Sequence, residues 1–272
     1  MIVKKLYKYH PLKKYGQNFL INKKIAREII QKINPQYQQK LVEIGPGLGA
    51  LTKPICEFLE KLIVIEIDAN LLNLLKERSF YSKLRIFCNN ALNFNYMSLL
   101  DKNCQLIRIF GNLPYNISTS LIIFLFQYIK IIQDMHFMLQ KEVAKRLVAS
   151  PGNKYYSRLS IISQYYCNVK LLLNVNSEEF WPKPKVDSVF VNFTPHLNSP
   201  YYVHDVSVLS FITNIAFQNR RKMLRHSLNK LFSEKKLIQL DINPRLRAEN
   251  ISILEYCKLS NYLYKKNIAR KT

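Results

Sequence analysis

Leu41-Val-Glu-Ile-Gly-Pro-Gly-Leu-Gly49 sets a compact, mostly apolar run against three glycines spaced two apart, and Leu51, Ile55, Phe58 and Leu59 then resume an apolar period at helical spacing. The stretch reads as strand, glycine turn, helix. The unit recurs downstream. Leu62-Ile-Val-Ile-Glu-Ile-Asp68 predicts a second buried strand, and a helix bearing Leu71, Leu72, Leu74 and Leu75 follows it. Leu84-Arg-Ile-Phe-Cys88 and Leu106-Ile-Arg-Ile-Phe110 give a third and fourth strand, an apolar helix covers 117–131, and Met135 to Leu139 is a fifth strand. Such alternation predicts an α/β fold with parallel strands joined by crossover helices, and ligands in such sheets sit beyond the carboxyl ends of the strands.

Upstream, residues 1–22 read as irregular, and Ile25, Ile29, Ile30 and Ile33 mark a helix that Asn34-Pro35 stops. Downstream, Val186 to Phe193 alternates like a further strand, and Thr194-Pro195 with Asn198-Ser-Pro200 reads as a linker. Helical periodicity over 205–232 and 251–264 then predicts a small α-helical second domain. The expected division is a catalytic domain over 1–198 and a helical domain over 199–272.

The 272 residues are 48% hydrophobic and 22% charged, which excludes a disordered or fibrous chain. A formal charge of +23 points to a polyanionic partner, nucleic acid before anionic membrane. The charge is uneven. Residues 1–40 carry 10 Lys and Arg against one acid, residues 41–100 carry six of each, and residues 181–272 carry 16 against six. A neutral small-molecule site flanked by basic surfaces fits an enzyme acting on a polyanion. Five scattered cysteines without a CxxC pair read as thiols in a reducing compartment, with no zinc site. No leader pattern or long apolar span is evident, so the expected location is the cytoplasm.

The glycine turn is G-x-G-x-G rather than the G-x-G-x-x-G of dinucleotide sites, and Glu43 just before it disfavours a phosphate while welcoming a cation. Gly45 and Gly47 let backbone approach a ligand at a helix N-terminus. Glu66 ends the second strand, where an acid in this topology accepts bonds from ribose hydroxyls. A nucleoside with a positive centre and no phosphate suits both acids, and S-adenosylmethionine is such a ligand. Asp68, before Ala69-Asn70, reads instead as a helix N-cap.

Asn112-Leu-Pro-Tyr115 follows the fourth strand at the same sheet edge. The exocyclic amine of a base is a poor nucleophile because its lone pair is delocalised into the ring. The Asn112 side-chain oxygen and a backbone carbonyl of Leu113 or Pro114 can accept its N–H groups and localise that pair for in-line attack on a methyl group. Tyr115 offers a face for an extruded base, worth about 1–3 kcal/mol.

Beyond these stretches, Lys14-Tyr-Gly-Gln-Asn-Phe-Leu20, Leu139-Gln-Lys-Glu-Val143, Pro184-Lys-Val-Asp-Ser188, Phe217-Gln-Asn-Arg-Arg-Lys222 and Arg247-Ala-Glu-Asn-Ile251 complete a set running nearly end to end. It resembles the ribosomal RNA adenine N6-dimethyltransferases, and within them the small-subunit branch, which modifies two adjacent adenosines near the 3′ end of that RNA. The resemblance implies a Rossmann-like S-adenosylmethionine-dependent methyltransferase sheet and a monomer acting on the immature small subunit, with no membrane partner. It implies that Asn18 and Leu20 close over the donor, that Gly45 contacts its methionine part and Glu66 its ribose, and that Asn112 positions the target amine. Phe180 is implied on the loop that covers the flipped adenine, opposite Tyr115, and Arg220, Arg221 and Lys222 against RNA phosphate. Asn90 stands where the family usually has Asp, which implies weaker donor binding; for Ser157, where the family often has Gly, there is no functional account. Two alternatives stay open: a large-subunit methyltransferase of the macrolide-resistance type, and a non-catalytic ribosome-assembly factor on the same fold.

Overall fold

The structure, a computed structural model, describes residues 9–101 and 105–268. It falls into two compact units, Met1–Ala144 with Lys170–Pro195, and Lys145–Val169 with His196–Thr272.

The first unit is organised by a seven-stranded sheet. In chain order, β1 (Phe19–Leu20) precedes β2 (Lys40–Ile44), β3 (Leu62–Glu66), β4 (Leu84–Cys88), β5 (Ile107–Asn112) and β6 (Ile132–Gln140). They are followed by β7 (Cys167–Val175), β8 (Phe180–Trp181) and β9 (Ser188–Pro195). The large sheet runs β4-β3-β2-β5-β6-β9-β7, while β1 and β8 form a separate two-stranded ribbon. Strands β2 to β6 pair parallel, and β9 pairs antiparallel to β6. The strand order reverses between β2 and β5, which is where α/β sheets open a crevice for ligands. All five residues of β3 are buried, as expected of a parallel strand covered on both faces.

Some expected elements are shorter or broken. The helix read over Leu51 to Leu59 is only Thr52–Ile55, and Phe58 is 49% exposed. The helix over 117–131 is α-helical for Ser118–Leu125 and 3-10 for Phe126–Ile131. The helix read over 205–232 stops at Gln218 and resumes as Leu224–Ser227.

The second unit joins residues 145–169 to the segment that begins at His196. The reason is hydrophobic: helix Arg158–Tyr166 buries Leu159, Ile161 and Ile162 and packs on helix Val206–Gln218. Arg158 Nη2 donates to Ser210 Oγ at 2.7 Å. Tyr156, Leu209, Ile212, Leu224, Leu237, Tyr256 and Leu259 are fully buried in this unit. Among the described residues, no helix is long and apolar enough to cross a membrane.

Candidate active site

Parallel strands deliver their carboxyl ends to one edge, and there a cavity of about 240 Å³ opens. Its wall takes Asn18 and Leu20 from the arm before the first helix, Glu43, Gly45 and Gly47 from the end of β2, and Glu66 from the end of β3. Asn90 lies beyond β4, and Asn112, Leu113 and Pro114 close the side at β5. Asn112 is the last residue of β5 rather than a turn residue. Gly111 explains the tightness of this edge, since a Cβ there would stand 2.3 Å from the Ile44 carbonyl oxygen of β2.

The cavity is built for a cation. Among its lining residues Lys14 is the only Lys or Arg, against Glu43 and Glu66. Glu43 is 2% exposed, and its Oε2 has no hydrogen-bond partner among the described residues. Burial, opposed by the nearby Thr52 hydroxyl and reinforced by the Glu66 carboxylate, pushes its carboxyl up to about 8. Glu66 is also raised by burial, against backbone N–H groups that favour its charge; Oε1 accepts the Asp68 N–H at 3.0 Å. Gly45 sits at φ 66°, with open space where a side chain would begin. An orphaned buried carboxylate oxygen, a second acid at the next strand end and an open backbone cradle fit a phosphate-free nucleoside carrying positive charge.

Asp68 is the N-cap that its position predicts, accepting the Asn70 N–H at 3.0 Å.

At the target side, the Asn112 amide is oriented by a residue 94 positions away. Its Nδ2 donates to the Asn18 carbonyl at 2.7 Å, so Oδ1 is left as the acceptor. The Pro114 carbonyl accepts the Ile117 N–H at 3.2 Å. The Tyr115 hydroxyl is tied to Ser188 Oγ at 2.7 Å. Ser188 is fully buried and pairs with Gln140, because antiparallel β9 brings its start, not its end, to the active edge. Neither the residue pattern around Ser188 nor its spacing signals this tether.

Phe180 departs from expectation. It lies in β8 opposite Leu20, is 2% exposed, and joins a core cluster with Leu20, Phe110, Met138, Val175 and Phe190. Alternation along the strand sends Phe180 inward, while Trp181 stacks on Phe19 at 6.3 Å. Phe180 therefore offers no open face opposite Tyr115 in this structure. The basic cluster also divides. Arg220 pairs with Glu249 and donates to the Lys154 carbonyl inside the second unit, whereas Arg221 and Lys222 are exposed.

An acidic, cradle-backed cavity at the reversal of a mostly parallel sheet, with paired acceptors beside it, defines a Rossmann-like methyltransferase. The comparisons with known proteins narrow the class. The model of the family "Ribosomal RNA adenine dimethylase" matches residues 10–265. The chain is 69% identical to a ribosomal RNA small subunit methyltransferase A of Buchnera aphidicola subsp. Acyrthosiphon pisum, covering 97% of each chain. It is 52% identical to the protein of that name from Escherichia fergusonii, covering 92% of each. Among solved structures, a dimethyladenosine transferase from Plasmodium falciparum superposes with a TM-score of 0.77 at 28% identity, over 92% of this chain and 98% of that one. The 23S rRNA methyltransferase ErmE shares the fold at a TM-score of 0.68 and 17% identity, over 90% of this chain and 99% of that one. The chain belongs to the ribosomal RNA adenine dimethylase family.

Proposed function

We propose that this chain dimethylates the N6 amines of two adjacent adenosines near the 3′ end of small-subunit ribosomal RNA, with S-adenosylmethionine as donor. The relatives at 69% and 52% identity are named for small-subunit RNA, and the Plasmodium falciparum structure for dimethyladenosine. The observation that carries the chemistry is the Asn18–Asn112 bond, which turns an acceptor oxygen toward a target amine on the cavity wall.

When bound, the donor supplies a methyl group on a positively charged sulfur. Glu43 holds positive charge, Glu66 accepts from the ribose, Gly45 and Gly47 give close backbone approach, and Asn18, Leu20 and Asn90 complete the donor wall. Asn112 Oδ1 and the Leu113 carbonyl accept the two N–H bonds of the target amine, with Pro114 fixing that turn. With the donor bound, these acceptors would leave the amine's lone pair free for the methyl carbon while the donor departs as a neutral thioether and a proton passes to water; in the second transfer only one N–H remains for them to hold. Tyr115, held by Ser188, gives the base a face to stack on. Phe180 backs Leu20 from the core and acts on the base only through that support. Arg221 and Lys222 grip RNA phosphate, with Arg220 bracing the same surface, so RNA binding weakens steeply with salt. The second unit, including residues 199–272, is the RNA-binding part. The partner is the immature small subunit, the chain works as a monomer, and it works in the cytoplasm.

Purified chain incubated with labelled S-adenosylmethionine and undermethylated small subunits should yield N6,N6-dimethyladenosine at two adjacent positions. Label only in large-subunit RNA would replace this reading with the macrolide-resistance type. Subunit binding without label would leave an assembly factor.

A further inference from the structure

The carbonyl that orients Asn112 belongs to Asn18, between the 3-10 turn Lys13–Tyr15 and the two-residue β1, so no long regular element fixes its place. Side chains fix it instead. Gln17 Oε1 accepts the Leu12 N–H at 2.8 Å and lies 3.0 Å from the Tyr9 hydroxyl. Gln17 Nε2 donates to Asp68 Oδ2 at 3.0 Å, and the Tyr9 hydroxyl reaches the same oxygen. Within this knot Asp68 is 3% exposed and Tyr9 8%, while Gln17 is half-buried on the cavity lining. Although burial opposes it, the Tyr9 hydroxyl, the Gln17 amide and backbone N–H groups hold the Asp68 carboxyl below its usual range.

The knot reaches both sides of the cavity. The Asp68 N–H donates to Glu66 Oε1 at 3.0 Å, and Gln17 adjoins the residue whose carbonyl fixes the Asn112 amide. Asp68 caps its own helix through Oδ1, and its Oδ2 is left to hold a segment 51 residues away beside the cavity.

We infer that Gln17, locked by Tyr9 and Asp68, is a positioning residue for methyl transfer: it holds the Asn18 carbonyl where it turns the Asn112 oxygen toward the target amine. This rests on the function proposed above. It gives Gln17 and Tyr9 roles in the chemistry, with no demand that either touch the base. A displacement of about 1 Å at such a site costs about 100-fold in rate; Glu43 and Gly45 lie outside the knot, so donor binding, which also uses Asn18, should suffer less than transfer.

The test measures donor dissociation constants by equilibrium titration and single-turnover methyl transfer to undermethylated small subunits, for wild type, Gln17→Leu, Tyr9→Phe and the double variant. Expected is transfer slowed by about 10- to 100-fold, with donor binding, which shares the Gln17–Asn18 wall, weakened by a clearly smaller factor. The double variant should be no slower than the slower single one, because both cut the same knot. Transfer within twofold of wild type in both singles overturns the inference. So does a donor constant that rises as much as the rate falls, since the knot would then serve the donor pocket only. If Gln17→Leu fails to fold, Tyr9→Phe, which deletes a single oxygen, is read on the same two axes. A wild-type chain without transfer would overturn the proposed function itself, whereas an active wild type with unaffected variants overturns this inference alone.

Discussion

The donor wall and the target wall of one cavity are assembled in different ways. On the donor wall, Glu43, Gly45, Gly47 and Glu66 stand at the ends of neighbouring strands β2 and β3, and each follows from its own strand and turn. On the target wall, Asn112 takes its orientation from Asn18, 94 residues away, and Tyr115, next to that wall in the chain but not part of its lining, takes its tether from Ser188, 73 residues away. The strand-end residues of the donor wall are set by local chain geometry, whereas the orientation of Asn112 and Tyr115 rests on contacts that only the closed fold provides. Both walls meet at Gly111, where β5 lies against the end of β2.

The largest expected effect falls on that seam. Gly111→Ala puts a Cβ 2.3 Å from a backbone oxygen that cannot step aside, and overpacking of this kind costs about 3 kcal/mol. Denaturant unfolding should show that loss; a change under about 1 kcal/mol would mean that the two walls are not rigidly joined.

The donor wall alone should respond to pH. Glu43 stands near 8 in the free chain, and a positive ligand favours its ionised form. Below that pH, binding must expel a proton, so donor affinity should rise by up to about tenfold per pH unit and level off above it. Glu43→Gln should flatten the profile; an unchanged profile in the variant would assign the titration to another group.

The target wall should respond to loss of its tether. Ser188→Ala and Tyr115→Phe each remove one hydrogen bond worth about 1 kcal/mol, about fivefold in kcat/KM for the RNA. Donor affinity should hold, and the double variant should lose no more than either single one. Fully additive losses would show that the two hydroxyls act separately.

Asn90 gives the smallest effect. Its Oδ1 already accepts the Leu92 N–H at 3.0 Å, so the amide oxygen is engaged at the cavity wall. Asp at this position caps Leu92 with one oxygen and offers the other with charge, so Asn90→Asp should tighten donor binding about threefold. Equal dissociation constants would remove the point.

The same divide governs what could be read from the chain. The strand–glycine–helix stretch at Leu41–Gly49, the second strand ending in Glu66 and the Asp68 cap are visible because apolar runs, turns and caps are local patterns. Strand β7 is not, because its burial follows no clean alternation and Leu171 is 45% exposed. The helix Arg158–Tyr166 belongs with the second unit for a reason found only in its partner helix. Gln17 and Ser188 sit inside quoted motifs, yet nothing near them in the chain names Asp68 or Tyr115. Phe180 shows the reverse case, since the resemblance places it in a motif while a two-residue strand sets which way it faces in this structure.

The most direct measurement compares wild type and Asn112→Ala in single-turnover methyl transfer to undermethylated small subunits, with the modified nucleosides identified afterwards. Loss of one preorganised acceptor should slow transfer by about 100- to 1,000-fold, with dimethyladenosine at two adjacent positions formed by wild type only. Transfer by the variant within threefold of wild type, at the same two positions, would contradict the account.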